Sequence, residues 1–248
     1  MVNLIFVGMI FESFVIAIQT ILLILILRKY FVKRHELTLL LFEISLGYTL
    51  AIIFSWFSKI LVLYSTMDYL QYQDVAAPQT LESWFLLRIT DFRISFLFVI
   101  LAIYLSYILR VKVFESEFNQ KEKIAISGYT IFTFIYSLII YERGNVILDV
   151  FAFLFILILM SITYIPFFAR SLKYYQQSDK KVIKNAFLSL AIMSINYMMV
   201  FVFFLFDRIL IFLGDPGFTL FYFLAWTSGV IAIIGAYLGY IRPKVSQD

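Results

Sequence analysis

Eight ionisable side chains stand inside stretches that are otherwise apolar: Glu12, Lys59, Arg88, Asp91, Arg93, Asp149, Asp207 and Arg208. Three of them lie within the run from Trp84 to Arg110, which is long enough to span a bilayer. An ionised side chain at that depth costs ~2.5–3.5 kcal/mol even on the lenient insertion scale. Opposite charge is the cheapest offset. Arg88 and Asp91 are three residues apart, so on one continuous helix they share a face and can neutralise each other. Arg93 points about 140° away from Arg88 and needs a partner on another helix.

Four of the eight are basic and four acidic. Two chemistries fit that balance. One is a self-compensating salt-bridge network that fixes helix register, because intramembrane charges face the bundle interior and pair there. The other is an outward-facing polar pocket for a small ligand or ion. Lys59 and Arg208 also have stems long enough to snorkel to a nearby interface. Glu43 stands apart from the group, with Ser45 close by and no acidic neighbour. It reads as a carboxyl near the opposite interface or as a gating or proton-coupling group.

Enzyme chemistry finds little to work with. His35, in a basic loop, is the single histidine and cysteine is absent, so no histidine pair or thiolate metal site can be assembled and no Ser-His couple is expected. Phosphate-cradling glycine loops are missing as well. Neither catalysis nor a cofactor or metal is expected.

The elements that must position these charges follow from hydropathy. At 63% hydrophobic, 15% charged and a mean hydropathy of +0.95, the chain is far more apolar than a soluble domain. It divides into seven apolar segments: Leu4–Leu27, Leu37–Tyr64, Trp84–Leu109, Ile124–Tyr141, Val146–Phe168, Val182–Phe212 and Phe218–Ile241. The expected fold is all-α, a polytopic membrane protein with a bundle of seven transmembrane helices in one domain.

Lysine and arginine alternate with connection number. Arg28, Lys29, Lys33 and Arg34 follow the first segment, and Arg110, Lys112, Lys121 and Lys123 follow the third. Arg170, Lys173, Lys180, Lys181 and Lys184 follow the fifth, and Arg242 and Lys244 the seventh. The second connection carries Asp68, Asp74 and Glu82, and the sixth Asp215. The positive-inside rule then gives an external N-terminus and a cytoplasmic C-terminus, in a membrane expected to be the plasma membrane. The first segment lacks a basic leader and reads as a retained span rather than a cleaved signal peptide. Tyr30, Tyr64, Trp84, Tyr141, Tyr174 and Tyr240 fall near segment ends, where amphipathic rings anchor.

Within the spans, Gln19 shares a helix face with Glu12, and Asn185, Ser189 and Asn196 offer polar groups for interhelical hydrogen bonds. Gly235 and Gly239 form a G-x-x-x-G that permits close helix approach, most simply inside the bundle. Tyr104-Leu105-Ser106-Tyr107-Ile108 matches Tyr237-Leu238-Gly239-Tyr240-Ile241, Lys29-Tyr30 matches Lys173-Tyr174, and Lys59-Ile60-Leu61 matches Arg208-Ile209-Leu210. The pattern suggests a three-plus-one-plus-three parallel duplication.

Seven spans with Arg88-x-x-Asp91-Phe92 on the third resemble the microbial rhodopsins, whose third helix carries an arginine and carboxylate as counterions. The segment Phe218–Ile241 contains no lysine to hold retinal, so the likeness stops at topology. The layout with the ending Gly239-Tyr240-Ile241-Arg242-Pro243 also resembles the seven-helix sensor modules of prokaryotic signalling proteins. That likeness implies a sensor or receptor acting through a partner protein. The three-plus-one-plus-three layout is shared with small sugar transporters of the PQ-loop and SWEET type, and Pro78-Gln79 is present in the second connection. The functional expectation is a sensor or receptor with a charged pocket near the outer leaflet. A small solute transporter or channel subunit, and a structural subunit of a larger complex, are the alternatives. Expected partners are the bilayer, a membrane or cytoplasmic protein and a small ligand, with no nucleic acid.

Overall fold

The computed structural model describes residues 2–64, 80–115, 117–142 and 145–241. Asp68, Asp74, Pro78-Gln79, Arg242 and Lys244 lie outside the described residues. The described residues form eight α-helices: α1 (Val2–Lys33), α2 (Glu36–Tyr64), α3 (Leu81–Thr90), α4 (Arg93–Phe114), α5 (Gln120–Ile139), α6 (Val146–Gln177), α7 (Lys181–Phe212) and α8 (Leu220–Ala236). A π-helical segment, Tyr237–Ile241, continues α8.

Helix is the form these segments must take. In hydrocarbon every backbone N–H and C=O needs a partner within its own segment or a closed sheet. Among the described residues, six helices are long and apolar enough to cross a membrane: α1, α2, α4, α6, α7 and α8 with its π-helical extension. Their outward surfaces are apolar too. Phe6, Phe14, Ile21 and Ile24 on α1, and Ile158, Ile162 and Ile165 on α6, are all exposed. A soluble bundle would place polar residues there, so the chain is a polytopic helical membrane protein.

The helices pack in chain order around a ring: α1 on α2, α2 on α4, α4 on α6, α6 on α7, α7 on α8, and α8 back on α1. Ile100, Ala102 and Ile103 of α4 and Ile156, Leu159 and Met160 of α6 are fully buried at the centre. Close approach is written in glycine. A Cβ on Gly239 would lie 2.3 Å from Leu190 Cδ2, and one on Gly235 would lie 2.9 Å from the Ser189 carbonyl oxygen. The G-x-x-x-G therefore seats α8 against α7 inside the bundle.

Helix α5 differs in kind. It carries Lys121, Glu122 and Lys123 in its first turn and packs outside the α4–α6 seam, in contact with both. It runs back along α4: Glu122 at its start pairs with Arg110, Tyr104 and Ser127 hydroxyls meet at 3.1 Å, and the Leu138 carbonyl near its end accepts from Arg88. The seven apolar segments of the sequence thus correspond to six long apolar helices and this more polar one.

The largest departure from expectation is in the third segment, read as one unbroken helix from Trp84. The structure breaks it at Asp91-Phe92, between α3 and α4. Phe92 sits in the left-handed region at φ 62°, a conformation that costs a residue with a Cβ roughly 1–2 kcal/mol. The Phe92 N–H reaches only back to the Ile89 carbonyl, closing α3 with a tight turn. Hydropathy carries no sign of this break, because Phe92 is itself apolar.

The lone histidine has a structural place. In the short link between α1 and α2, His35 Nδ1 accepts from the Leu37 N–H at 3.2 Å, satisfying a donor at the start of α2.

Candidate functional site

The break turns the charges in ways an ideal helix does not. Arg88 and Asp91, expected to neutralise each other on one face, have separate partners. Arg88 donates from Nε to the Leu138 carbonyl at 2.9 Å and from Nη1 to the Trp84 carbonyl at 3.2 Å, with its guanidinium 3.7 Å over the Trp84 ring. One of the last carbonyls of α5, left without an intrahelical donor, is thereby satisfied. Asp91 accepts instead from the Tyr141 hydroxyl. The Tyr141 ring lies 4.9 Å from the Arg88 guanidinium and 5.6 Å from that of Arg93, so a residue expected as an interface anchor joins three of the charges.

Arg93 opens α4, fully buried, and donates from Nη2 to Asp149 Oδ1 at 2.7 Å. Asp149 lies in the first turn of α6, where a carboxylate is also favoured by the helix dipole. Two helices that do not follow each other in the chain are tied by this pair.

Glu12 gathers a second group. Its Oε1 accepts from Lys59 Nζ at 2.9 Å, from Ser55 Oγ at 2.9 Å and from the Tyr222 hydroxyl at 2.8 Å, joining α1, α2 and α8. Lys59 is 2% exposed, so it is buried against Glu12 and does not snorkel to an interface. Its ammonium also lies 4.9 Å from the Phe92 ring, on which the Arg208 guanidinium sits at 5.1 Å. Two cations flanking one ring supply interaction that holds Phe92 in its costly backbone conformation.

Asp207 acts locally. Its Oδ1 accepts from the Thr219 N–H at 3.0 Å and hydroxyl at 2.8 Å, stitching the end of α7 to the cap of α8. Glu43 stands apart, exposed on the outward surface of α2 and turned away from the bundle interior.

Between these groups and the far end of the bundle lies a cavity of about 80 Å³, bounded by α1, α2, α4, α6, α7 and α8. Aromatic and aliphatic side chains make most of its wall, including Phe92, Phe153, Tyr197 and Trp226. Arg208 stands at its charged end. Among the lining residues, Gln19 Oε1 is buried with no hydrogen-bond partner among the described residues. The Gln19 amide nitrogen is engaged, donating to the Ser45 carbonyl at 3.1 Å and so linking α1 to α2.

Below the cavity a polar layer crosses the core. Tyr48 and Tyr164 hydroxyls meet at 2.7 Å, Tyr164 donates to Ser106 Oγ at 3.0 Å, and Tyr197 stacks on Tyr48 at 4.7 Å. Further on, Arg110 is 1% exposed and pairs with Glu122, with Glu115 at 3.8 Å. Arg170 reaches the same Glu115 oxygen at 3.3 Å. In the sequence Arg110 counts simply as one of the basic residues after the third segment. The acidic residues interleaved there, Glu115 and Glu122, were the signal that it is buried and paired.

Ser189 and Asn196, expected to offer hydrogen bonds between helices, bond within their own helix: Ser189 Oγ donates to the Asn185 carbonyl and Asn196 Nδ2 to the Ile192 carbonyl. Short polar side chains often bond back one turn in this way.

No family model, curated protein or solved structure significantly matches the chain. The arrangement itself defines the site. Buried ion pairs brace one end of the bundle around an aromatic-walled cavity, and a tyrosine layer underlies it.

Proposed function

We propose that the chain is a seven-span membrane protein of sensor or receptor type, in which the central cavity takes a small ligand and a partner protein reads the result. The observation that carries this reading is the cavity: it lies among six helices, walled mostly by aromatic and aliphatic side chains, with Gln19 and Arg208 among its lining residues. Such a site, apolar with a few placed polar groups, is the usual form of a small-molecule pocket. The hydrogen-bonded tyrosine layer beneath favours a ligand that stays over one that passes through.

The charged group expected to form the pocket becomes its frame in this reading. Glu12 with Lys59, and Arg93 with Asp149, hold the helices, while Arg208 alone of the eight lines the cavity. The antiparallel run of α5 along α4 supports α5 as the seventh span. The N-terminus is then outside, the C-terminus cytoplasmic and the membrane the plasma membrane, as the distribution of lysine and arginine suggests. The proposed duplication relates α1, α2 and α4 to α6, α7 and α8, and it fits the placing of α2 and α7 as the middle helix of each trio.

A small solute transporter is the second reading, favoured by the helix break at Asp91-Phe92, since transporter sites use discontinuous helices. Protein in lipid nanodiscs, screened against a library of small neutral and anionic compounds by thermal unfolding, separates the two. Compounds that stabilise the protein and are not accumulated by sealed proteoliposomes support the receptor. Accumulation moves the assignment to transport, and a library with no stabilising compound contradicts both.

A further inference from the structure

Resting on the reading of the cavity as a ligand site, we infer that its ligand is a small apolar molecule of about four heavy atoms, held by contact with the wall and by no hydrogen bond to the protein. Size sets the first limit. An apolar cavity of about 150 Å³ takes benzene or a xenon atom, and at about 80 Å³ this one has roughly half that room. A branched hydrocarbon of about four carbons fits, and a substituted ring does not.

The polar side chains of the wall set the second limit, because their donors are used inside the fold. Ser55 and Tyr222 donate to Glu12 at 2.9 and 2.8 Å, Ser95 to the Ala51 carbonyl at 2.7 Å, and the Gln19 amide to the Ser45 carbonyl at 3.1 Å. The Tyr48 hydroxyl meets that of Tyr164 at 2.7 Å, and Trp226 bonds to Tyr222. Gln19 Oε1 is itself inaccessible, so it too is withdrawn from the cavity. Nearly all of the accessible wall is therefore carbon. A polar ligand would leave its hydration behind and find little in return, a loss that a hydrocarbon does not suffer.

The ends set the third. The Glu12–Lys59 pair closes one end, and the Tyr48–Tyr164–Ser106 set the other. A buried water needs two to four polar partners, so between these two layers the cavity stays dry.

Charge sets the last. Arg208 lines the cavity with its guanidinium 5.1 and 5.5 Å from the Phe92 and Phe153 rings, and Asp149 lies within electrostatic reach of it. Rings and a carboxylate already occupy its field, and an anion gains little there.

The test uses xenon together with isobutene, acetone and acetate, flat molecules of one shape and rising polarity. Xenon bound to the full chain in nanodiscs is read by xenon NMR, with empty nanodiscs subtracted to remove partition into lipid. Isobutene is expected to displace xenon at a free concentration about tenfold below that of acetone, the size of one buried polar group left unpaired, and acetate to leave it in place. Gly229 tests the location. A Cβ there would meet Val200 Cγ2 at 3.8 Å and Trp226 Cε3 at 3.9 Å, both wall residues, so Gly229→Leu fills the space and abolishes the bound-xenon signal. Should Gly229→Leu fail to fold, Gly229→Ala, which meets nothing closer, must weaken the binding of xenon and isobutene severalfold. Equal displacement by acetone and isobutene overturns the inference and calls for a hydrogen-bonding ligand. Strongest displacement by acetate overturns it in favour of an anion. A signal unchanged in the folded Gly229 variants puts the bound xenon elsewhere and overturns it as well. With no bound xenon at all the apolar assignment falls, and the wider library above then decides whether the cavity takes ligands.

Discussion

The Glu12 carboxylate and the Lys59 ammonium meet at 2.9 Å with both side chains essentially inaccessible, one on α1 and the other on α2. Ser55 and Tyr222 donate to the same oxygen, so one acidic atom joins three helices. Glu12→Gln leaves Lys59 buried without compensation and is expected to destabilise the bundle by ~3–5 kcal/mol, with Glu12→Leu plus Lys59→Met recovering much of the loss. Equilibrium unfolding in mixed detergent measures both. A single variant as stable as the parent contradicts the frame described above.

The break at Phe92 assigns partners, and partners can be measured. A double-mutant cycle on Arg93→Gln and Asp149→Asn is expected to give a coupling of about 1–3 kcal/mol, as contacting charged residues do. The corresponding cycle on Arg88→Gln and Asp91→Asn is expected to give clearly less, because Arg88 donates to the Leu138 and Trp84 carbonyls while Asp91 accepts from Tyr141. A larger coupling for the second cycle would restore the unbroken helix.

How much of this was legible in the sequence depends on which physical signal each feature leaves. Apolar length marks α1, α2, α6, α7 and α8 plainly, since hydrocarbon thickness imposes it. Pairing between Glu12 and Lys59 depends on how α1 and α2 rotate about their axes, and near-uniformly apolar helices have no polar face to show that rotation. The break before Arg93 leaves no signal because Phe92 is strained by its surroundings rather than by its own type. Arg110 looked like a loop cation because it is counted with its neighbours. Its burial depends on Glu115 and Glu122 folding back over it.

Glycine contacts give a graded prediction. Gly239→Ala would put its Cβ 2.7 Å from Leu190 Cγ as well as against Cδ2, and Gly235→Ala meets backbone at 2.9 Å. Each is expected to cost about 1–3 kcal/mol, as overpacking does. Gly128 in α5 has nothing within 4 Å of such a Cβ, so Gly128→Ala is expected to be neutral or to gain up to about 1 kcal/mol from helix propensity. The same unfolding titration ranks all three, and equal effects would contradict the packing of α8 on α7.

Span number rests on α5. Cysteines placed at Glu117, before α5, and at Glu142, after it, are expected to react with an impermeant thiol reagent from opposite sides, Glu142 alone in intact cells. Gln73 should label with Glu142 and Ser178 with Glu117. If Glu117 and Glu142 label from the same side, α5 does not cross and the chain has six spans.

The central claim is that the cavity beside Gln19 and Trp226 is a ligand site. A density map of the protein purified gently from its native membrane tests it most directly. The account predicts compact non-protein density between the aromatic walls of the cavity. A map in which α1 and α8 have closed the cavity, with no density between its walls, would contradict it.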